Sequence, residues 1–456
     1  MIHKFIINGV RLVLDVHSGA LHLVDEVVWD LLDGYFHQPP EKLTMGNAQK
    51  HARAEAAEAL SEIGQLVGEG ALFSEDHLKE FWAPPEHNII KALCLYLAHD
   101  CNLQCRYCFG SRGGCPRSRG LMTPAVGRQA VDFLLASSGP RRYIEIDFFG
   151  GEPLLNFSVL QELVMYSREV ASRQNKEIKF TLTTNAVLLN KKIGNYLAEN
   201  GISVIFSLDG RPQVHDRMRI FPDGSGSYTI VVNNIAEFLK SYPDLDYYLR
   251  GTFTRYNLDF TSDVLHMADL GFSRISVEPV VAFSDAEHAL REEDLPFIDA
   301  EYERLTEELL ERAKQGQEID FYHFNIDLEG GPCLPKRLSG CGAGDEYLAV
   351  TPEGDLYPCH QFVGRLDYWM GDVRRGIVKN DLRELFRRAH IYNKEGCGDC
   401  WAKFYCSGGC RANAQAFRND IYKSYKLTCH LMKKRLECAL YFQVFKNKNR
   451  VLMKNL

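Results

Sequence analysis

No run of apolar residues in this 456-residue sequence is long enough to cross a bilayer; the longest strongly apolar stretch, Ala92 to Ala98, falls far short. Nor is there an excess of positive charge. Lys and Arg number 53 against 60 Asp and Glu, and the net charge of −7 argues against a general nucleic-acid binder. The start, MIHKFIINGVRLVLDV, mixes charges into its apolar residues and has neither a continuous hydrophobic stretch nor a small-residue cleavage site, so no secretory signal is expected. No internal repeat of fixed period is present. These features set aside a membrane protein, a secreted disulfide scaffold and a disordered chain. A 45% hydrophobic, 25% charged chain of this length is an ordinary globular composition with room for roughly three domains.

What is present in unusual number is cysteine, 14 in all. In a reducing compartment, clustered cysteines ligate metal or carry out chemistry. Cys101, Cys105 and Cys108 stand together, and seven more, Cys341, Cys359, Cys397, Cys400, Cys406, Cys410 and Cys429, fall in the last quarter. Cys94, Cys115, Cys333 and Cys438 are scattered. Cys94 in an apolar strand and Cys438 on an apolar helix face read as small core hydrophobes. Cys115 reads as a passive loop residue, with a lid near the site as the alternative.

Residues 2–25 alternate as short β-like runs with turns at Asn8-Gly9 and at residues 17–20. Helices are expected over 26–32 and 48–67, giving a small α+β unit over residues 1–85, ended by Pro84-Pro85. From residue 88 six apolar strands, near 89–97, 143–149, 177–184, 202–208, 246–254 and 274–280, alternate with helix-compatible stretches. That order predicts an α/β fold with a parallel sheet over 88–285, open or curled into a partial (β/α)6 barrel. A charged helical bridge is expected over 286–332. The segment 333–456 has little room for a large apolar core, and metal is its expected staple.

The first strand runs directly into Asp100-Cys101-Asn102-Leu103-Gln104-Cys105-Arg106-Tyr107-Cys108. Cysteines at i, i+4 and i+7 can converge within one loop on a cubane iron–sulfur cluster. A full tetrathiolate needs four, so three leave one iron open, and an open metal position signals reactivity. A structural zinc loop with a fourth ligand from elsewhere is the alternative.

This C-x3-C-x2-C loop resembles that of the radical SAM superfamily. The resemblance implies that S-adenosylmethionine (SAM) chelates the open iron, that Tyr107 adjoins the adenine, and that an electron from the cluster releases a 5′-deoxyadenosyl radical. Further motifs follow at strand ends, where α/β folds place their sites. Gly150-Gly151-Glu152-Pro153 matches GGEP, with glycines for close backbone approach and Glu152 to accept from the methionine ammonium. Asn185, in Thr183-Thr184-Asn185-Ala186, occupies the TNG position with alanine for glycine. Ser207 and Arg219 resemble the ribose- and carboxylate-binding pair, an always-charged guanidinium suiting a carboxylate. No general base can be nominated.

The cysteine-rich end resembles the SPASM signature: Cys341, twelve residues, Gly354, four residues, Cys359, then C-x2-C-x5-C-x3-C over 397–410, and Cys429 after eighteen more. The resemblance assigns Cys397, Cys400, Cys406 and Cys429 to one auxiliary [4Fe–4S] cluster, Auxiliary II. It assigns Cys341, Cys359 and Cys410 to Auxiliary I. Cys333, separated from Cys341 by seven residues rather than the usual five, is the ambiguous fourth; an iron left open there could take a substrate thiolate. A pair of zinc sites is the alternative, since spacing alone does not name the metal. Residues 1–85 resemble the RiPP recognition element, which binds the leader of a ribosomally made, post-translationally modified peptide by β-augmentation. A DNA-binding winged helix and a ligand-free packing domain are its alternatives.

The three segments together most resemble thioether maturases of the SCIFF type. They imply three [4Fe–4S] clusters, SAM, a cysteine-rich precursor peptide and an external electron donor such as flavodoxin or ferredoxin, in the cytoplasm of an anaerobic bacterium, with no nucleic acid and no membrane. The rivals are a formylglycine-forming sulfatase activator, a quinone-cofactor peptide enzyme and a non-catalytic zinc adaptor.

Overall fold

The computed structural model describes residues 1–33, 51–84, 89–108, 110, 120–328 and 334–454. At the N-terminus β1 (Ile2–Ile7), β2 (Val10–Asp15) and β3 (Leu21–Val24) form an antiparallel sheet in that order. Asn8 and Gly9 make its first turn, both at positive φ (51° and 75°), the twist that a two-residue hairpin loop requires. The sheet has two buried faces. Ile2 and Val13 pack with Leu31 and with Ala56, Ala59 and Ile63 of the helix Arg53–Gly68. Phe5, Ile7, Leu12 and Leu14 point the other way into the main core. The expected start of that helix, residues 48–50, lies outside the described residues.

Among the described residues the main sheet has eleven strands. β4 (Ala92–Ala98), β5 (Tyr143–Gly150), β6 (Glu177–Thr184), β7 (Ser203–Ser207), β8 (Tyr247–Phe253) and β9 (Arg274–Pro279) are the six foreseen from the sequence. They pair in parallel in chain order, with helices such as Pro124–Ser137 and Phe157–Ser172 between them. Every residue of β4 is buried, as a strand covered on both faces should be.

Two features correct the sequence reading. The bridge is not purely helical: after the helix Leu295–Lys314 it supplies β10 (Asp320–Phe321), which pairs in parallel with β9. The cysteine-rich end is not a coreless appendage either. It contributes β11 (Tyr347–Val350), β12 (Asp355–Tyr357), β13 (Gly371–Asp372) and β14 (Gly376–Ile377). β11 joins β4 in parallel, so the sheet passes unbroken into the C-terminal segment. Leu348, Val350, Phe362, Met370 and Phe386 are buried in the same core as the barrel strands. Spacing of cysteines hid this, because the strands are only two to four residues long. The last helix, Lys426–Lys454, packs on Leu295–Lys314, and no helix among the described residues is long and apolar enough to cross a membrane.

The N-terminal unit is locked onto the cysteine-rich segment by a buried ion pair. Lys403 Nζ donates to Asp76 Oδ2 at 2.6 Å and to the Gly398 carbonyl at 3.0 Å, while the Tyr392 hydroxyl donates to Asp76 Oδ1 at 2.9 Å. The His3 ring stacks on Trp401 at 3.8 Å. Burial works to raise the Asp76 carboxyl, but its bonds to Lys403 and Tyr392 outweigh that and hold it below the usual carboxylate range. A depressed value stabilises the fold above the unfolded pKa and loses that contribution as pH falls through the folded one. Asp76→Asn leaves Lys403 buried without an anion and should cost about 3 kcal/mol. Urea unfolding at neutral pH checks it, and an unchanged midpoint would show that the pair does not hold the two units together.

Candidate metal centres

The loop 100–108 leaves the C-terminal end of β4 and is held from three sides by segments that leave the ends of neighbouring strands. After β5, Gly151 N and Glu152 N donate to the carbonyls of Ala98 and Asp100 at 2.8 and 2.9 Å. A Cβ on Gly150 would lie 2.2 Å from the Ala98 oxygen, and one on Gly151 equally close to that of Asp100. The first approach the two glycines permit is therefore to the cysteine loop itself. After β6, Asn185 Nδ2 donates to Asn102 Oδ1 at 2.7 Å and lies 3.7 Å from Cys101 Sγ. Beyond β7, the carbonyls of Ile220 and Met218 accept from Gln104 N and Arg106 N at 2.7 and 2.9 Å.

Glu152 ties two of these sides together. Fully buried, its carboxylate accepts from Leu154 N, the Thr184 hydroxyl and Asn185 N at 2.8–3.0 Å. Burial pushes its carboxyl up to about 7 against the pull of those three donors. Pro153 is buried behind it. Ala186 stands where the TNG motif has glycine, and its φ is +62°. A left-handed alanine costs about 1–2 kcal/mol, offset in part by roughly 0.8 kcal/mol from the buried methyl.

The motif reading singled out Ser207 and Arg219 and missed Asp209 between them. Asp209 is fully buried and gathers the expected nucleotide contacts: the Tyr107 hydroxyl donates to its Oδ2 at 2.5 Å, and Arg219 Nε and Thr252 N donate to its Oδ1 at 3.1 and 3.0 Å. The Arg219 guanidinium lies 5.4 Å from the centre of the Tyr107 ring. Burial opposes its charge, but Asp209 and Tyr107 overcome that and keep it protonated. Ser207 ends β7 opposite Arg250 of β8, at the same edge of the sheet.

The thiols fall into three groups. Burial pushes Cys101 up to about 12, and the next charges it meets include Cys105 and Cys108. Cys359 is raised by burial and then by Cys410 and Cys341. Cys406 is pushed up to about 12 by burial and then by Cys429, Cys397 and Cys400. Ser407, Gly408 and Gly409, at φ of 57°, 82° and 67°, reverse the chain between Cys406 and Cys410 and send these neighbours to different groups. Cys333 and Cys115 lie outside the described residues. Cys94 and Cys438 are buried as core residues.

The donor sets fit iron–sulfur clusters. Among the described residues no three Cys, His, Asp or Glu side chains close on the single point that one zinc ion needs. Thiols in mutual electrostatic range but spread apart suit a body of several irons, each taking one thiolate. Two donors beside the thiols, Asn102 Nδ2 and Arg411 Nε, are buried without any partner, and the sulfides and thiolates of a cluster are acceptors for such groups. Binding releases the protons that burial keeps on these thiols. Gly151→Ala should displace Asp100 and with it the first thiol loop. Iron counting is expected to fall by about four of roughly twelve atoms per chain, with the C-terminal iron retained; a full count would refute this account of the glycine.

The chain matches the 4Fe-4S single cluster domain family over residues 91–231 and the SPASM iron-sulfur cluster-binding domain over residues 341–401. It is 30% identical over 190 residues to the uncharacterized protein MJ0907 of Methanocaldococcus jannaschii, covering 41% of this chain and 62%, under two thirds, of that protein. It is 21% identical over 364 residues to the radical SAM cyclopropyl synthase TigE of Paramaledivibacter caminithermalis, covering 75% of this chain and 72% of that one. Among solved structures, anSMEcpe with bound AdoMet shares the fold with a TM-score of 0.66 at 21% identity, over 79% of this chain and 99% of that one. Streptococcus suis SuiB bound to S-adenosylmethionine gives a TM-score of 0.52 at 17% identity, over 93% and 98%. With its thiol loop, its GGEP turn and its seven C-terminal cysteines, the chain is similar to the radical SAM/SPASM peptide maturases.

Proposed function

We propose that this protein installs a thioether cross-link between a cysteine sulfur and a carbon of a second residue, threonine being one candidate, in a ribosomally made cysteine-rich precursor peptide. Cys101, Cys105 and Cys108 hold the first cluster. Cys397, Cys400, Cys406 and Cys429 hold Auxiliary II, and Cys341, Cys359 and Cys410 hold Auxiliary I, with Cys333 the remaining candidate. Tyr107, Gly150, Gly151, Glu152, Pro153, Asn185, Ser207 and Arg219 line the place of SAM. Asp209 fixes Tyr107 and Arg219 there. When bound, the clusters and SAM supply the one-electron chemistry. The net change is loss of a hydrogen atom from carbon, a proton from the thiol and an electron, leaving a carbon–sulfur bond. An external donor of the flavodoxin or ferredoxin kind provides the priming electron.

The observation that carries the reading is where the N-terminal unit sits. Among the described residues its β3 pairs with β2 alone, and Leu23 on it is exposed. An extended leader peptide can add to that edge through main-chain hydrogen bonds. The same unit is clamped by Asp76–Lys403 to the loop that carries Cys400 and Cys406, so a peptide held on β3 is tethered beside an auxiliary site. The related structures anSMEcpe and SuiB were also solved with peptides bound. A sulfatase-derived peptide is the rival substrate.

Reduced enzyme, SAM and a candidate precursor, incubated without air, should give deoxyadenosine and a peptide that has lost a pair of hydrogens, with fragmentation locating a bridge at cysteine. Turnover of a sulfatase peptide instead would overturn the thioether assignment. Deleting residues 1–85 should weaken precursor binding while reductive SAM cleavage continues; unchanged peptide affinity would remove the leader-binding role.

A further inference from the structure

Four Lys or Arg residues are buried as whole residues among the described ones: Arg383, Lys394, Lys403 and Arg411. Two of them have a carboxylate. Arg383 Nε donates to Asp345 Oδ1 at 3.0 Å, and Lys403 Nζ donates to Asp76 at 2.6 Å. The other two have none. Arg411 directs one terminal nitrogen to the carbonyls of Ser339 and Ala389 at 2.8 and 3.0 Å, and its Nε is buried without a partner. Lys394 is 4% exposed, and its Nζ forms no hydrogen bond or ion pair with any described residue.

Lys394 lies among the C-terminal thiols: its carbonyl accepts from Cys397 N at 3.1 Å, and its stem packs against Gly408, between Cys406 and Cys410. Burial works against its charge and holds it below the usual lysine range; Cys397, Cys406 and Cys410 favour the charge, while Arg411 opposes it. Cys397 and Cys406 belong to one auxiliary set and Cys410 to the other, so this lysine adjoins both. Lys433 is the only further cation acting on Cys397 among its leading influences. An uncompensated buried charge is strongly destabilising, and neutral thiols cannot offset one. A cubane held by thiolates can, because it carries net negative charge that grows on reduction.

We propose that Lys394, with Arg411 beside it, is the shared counter-cation of the two auxiliary clusters and raises their reduction potentials, fitting them to take up the electron released when the substrate bond forms. The inference rests on the cluster assignment proposed above. Net charge around an iron–sulfur cluster is one of the main determinants of its potential. A fixed cation in a region of low dielectric stabilises the more negative, reduced state more than the oxidised one. Lys394 is thus a positioning residue of the electron path and touches no substrate. Its stem also packs: a Cβ on Gly408 would lie 3.2 Å from Lys394 Cδ. Methionine keeps that packing and removes the charge.

The test uses anaerobic holoenzyme, iron counted first, with a redox titration followed by electron paramagnetic resonance. In Lys394→Met the auxiliary signals should titrate at lower potential, the reduction equilibrium falling tenfold or more, at about 59 mV per decade for a one-electron couple. The first cluster should stay in place as the internal reference, and Lys394→Arg should restore the auxiliary values. A fully iron-loaded Lys394→Met with unmoved auxiliary potentials overturns the inference while leaving the cluster assignment standing. Wild-type protein that takes up almost no iron overturns the assignment and the inference with it. Should Lys394→Met fail to hold its iron, the same titration of Arg411→Gln decides in the same two directions.

Discussion

The site depends on a backbone-to-backbone contact in which there is no room for a side chain. Gly150 and Gly151 bring the end of β5 against the carbonyls of Ala98 and Asp100, so closely that any Cβ would overlap an oxygen. From that contact a closed circuit follows. Glu152, the next residue, binds Thr184 and Asn185 at the end of β6, and Asn185 returns to Asn102 within the cysteine loop. Three strand ends and one thiol loop are thereby fixed by mutually dependent bonds. Precise placement of this kind is what metal and nucleotide ligands require of a scaffold.

A second constraint acts at longer range. Because β11 pairs with β4, the strand that carries the first thiol loop is also the one on which the C-terminal segment is built. The expected cysteine-rich domain is therefore an extension of the same sheet. His360, next to Cys359, touches both parts: its ring lies 5.1 Å from Phe149, and its carbonyl accepts from the Tyr96 hydroxyl at 2.9 Å. Burial then holds His360 down at about 4, a neutral side chain between the barrel strands and the auxiliary thiols.

Much of the fold was legible because its signals are local. The six barrel strands are apolar runs long enough to show their period, and residues 177–184 match β6 at both ends. The hairpin turn at Asn8-Gly9 announces itself through residues that tolerate positive φ. The strands β11–β14 were not legible: at two to four residues they carry too little pattern to separate from turns. Asp209 was missed for a different reason. An Asp-Gly pair is a common turn, and nothing in its neighbours reveals that Tyr107, Arg219 and Thr252 converge on it.

Residue types and spacings alone determined the chemistry: thiols four and three residues apart, a GGEP turn after a strand, and seven C-terminal cysteines. Metal ligation is written in such short intervals because each loop must bend to offer its own donors. Tertiary structure alone decided which charges are compensated. Lys394 and Lys403 are nine residues apart and indistinguishable as sequence, yet the fold gives one a carboxylate from residue 76 and leaves the other without one, among thiols and beside Arg411. Burial and long-range partnership set the cost of a charge, and neither is a property of the residues next to it in the chain.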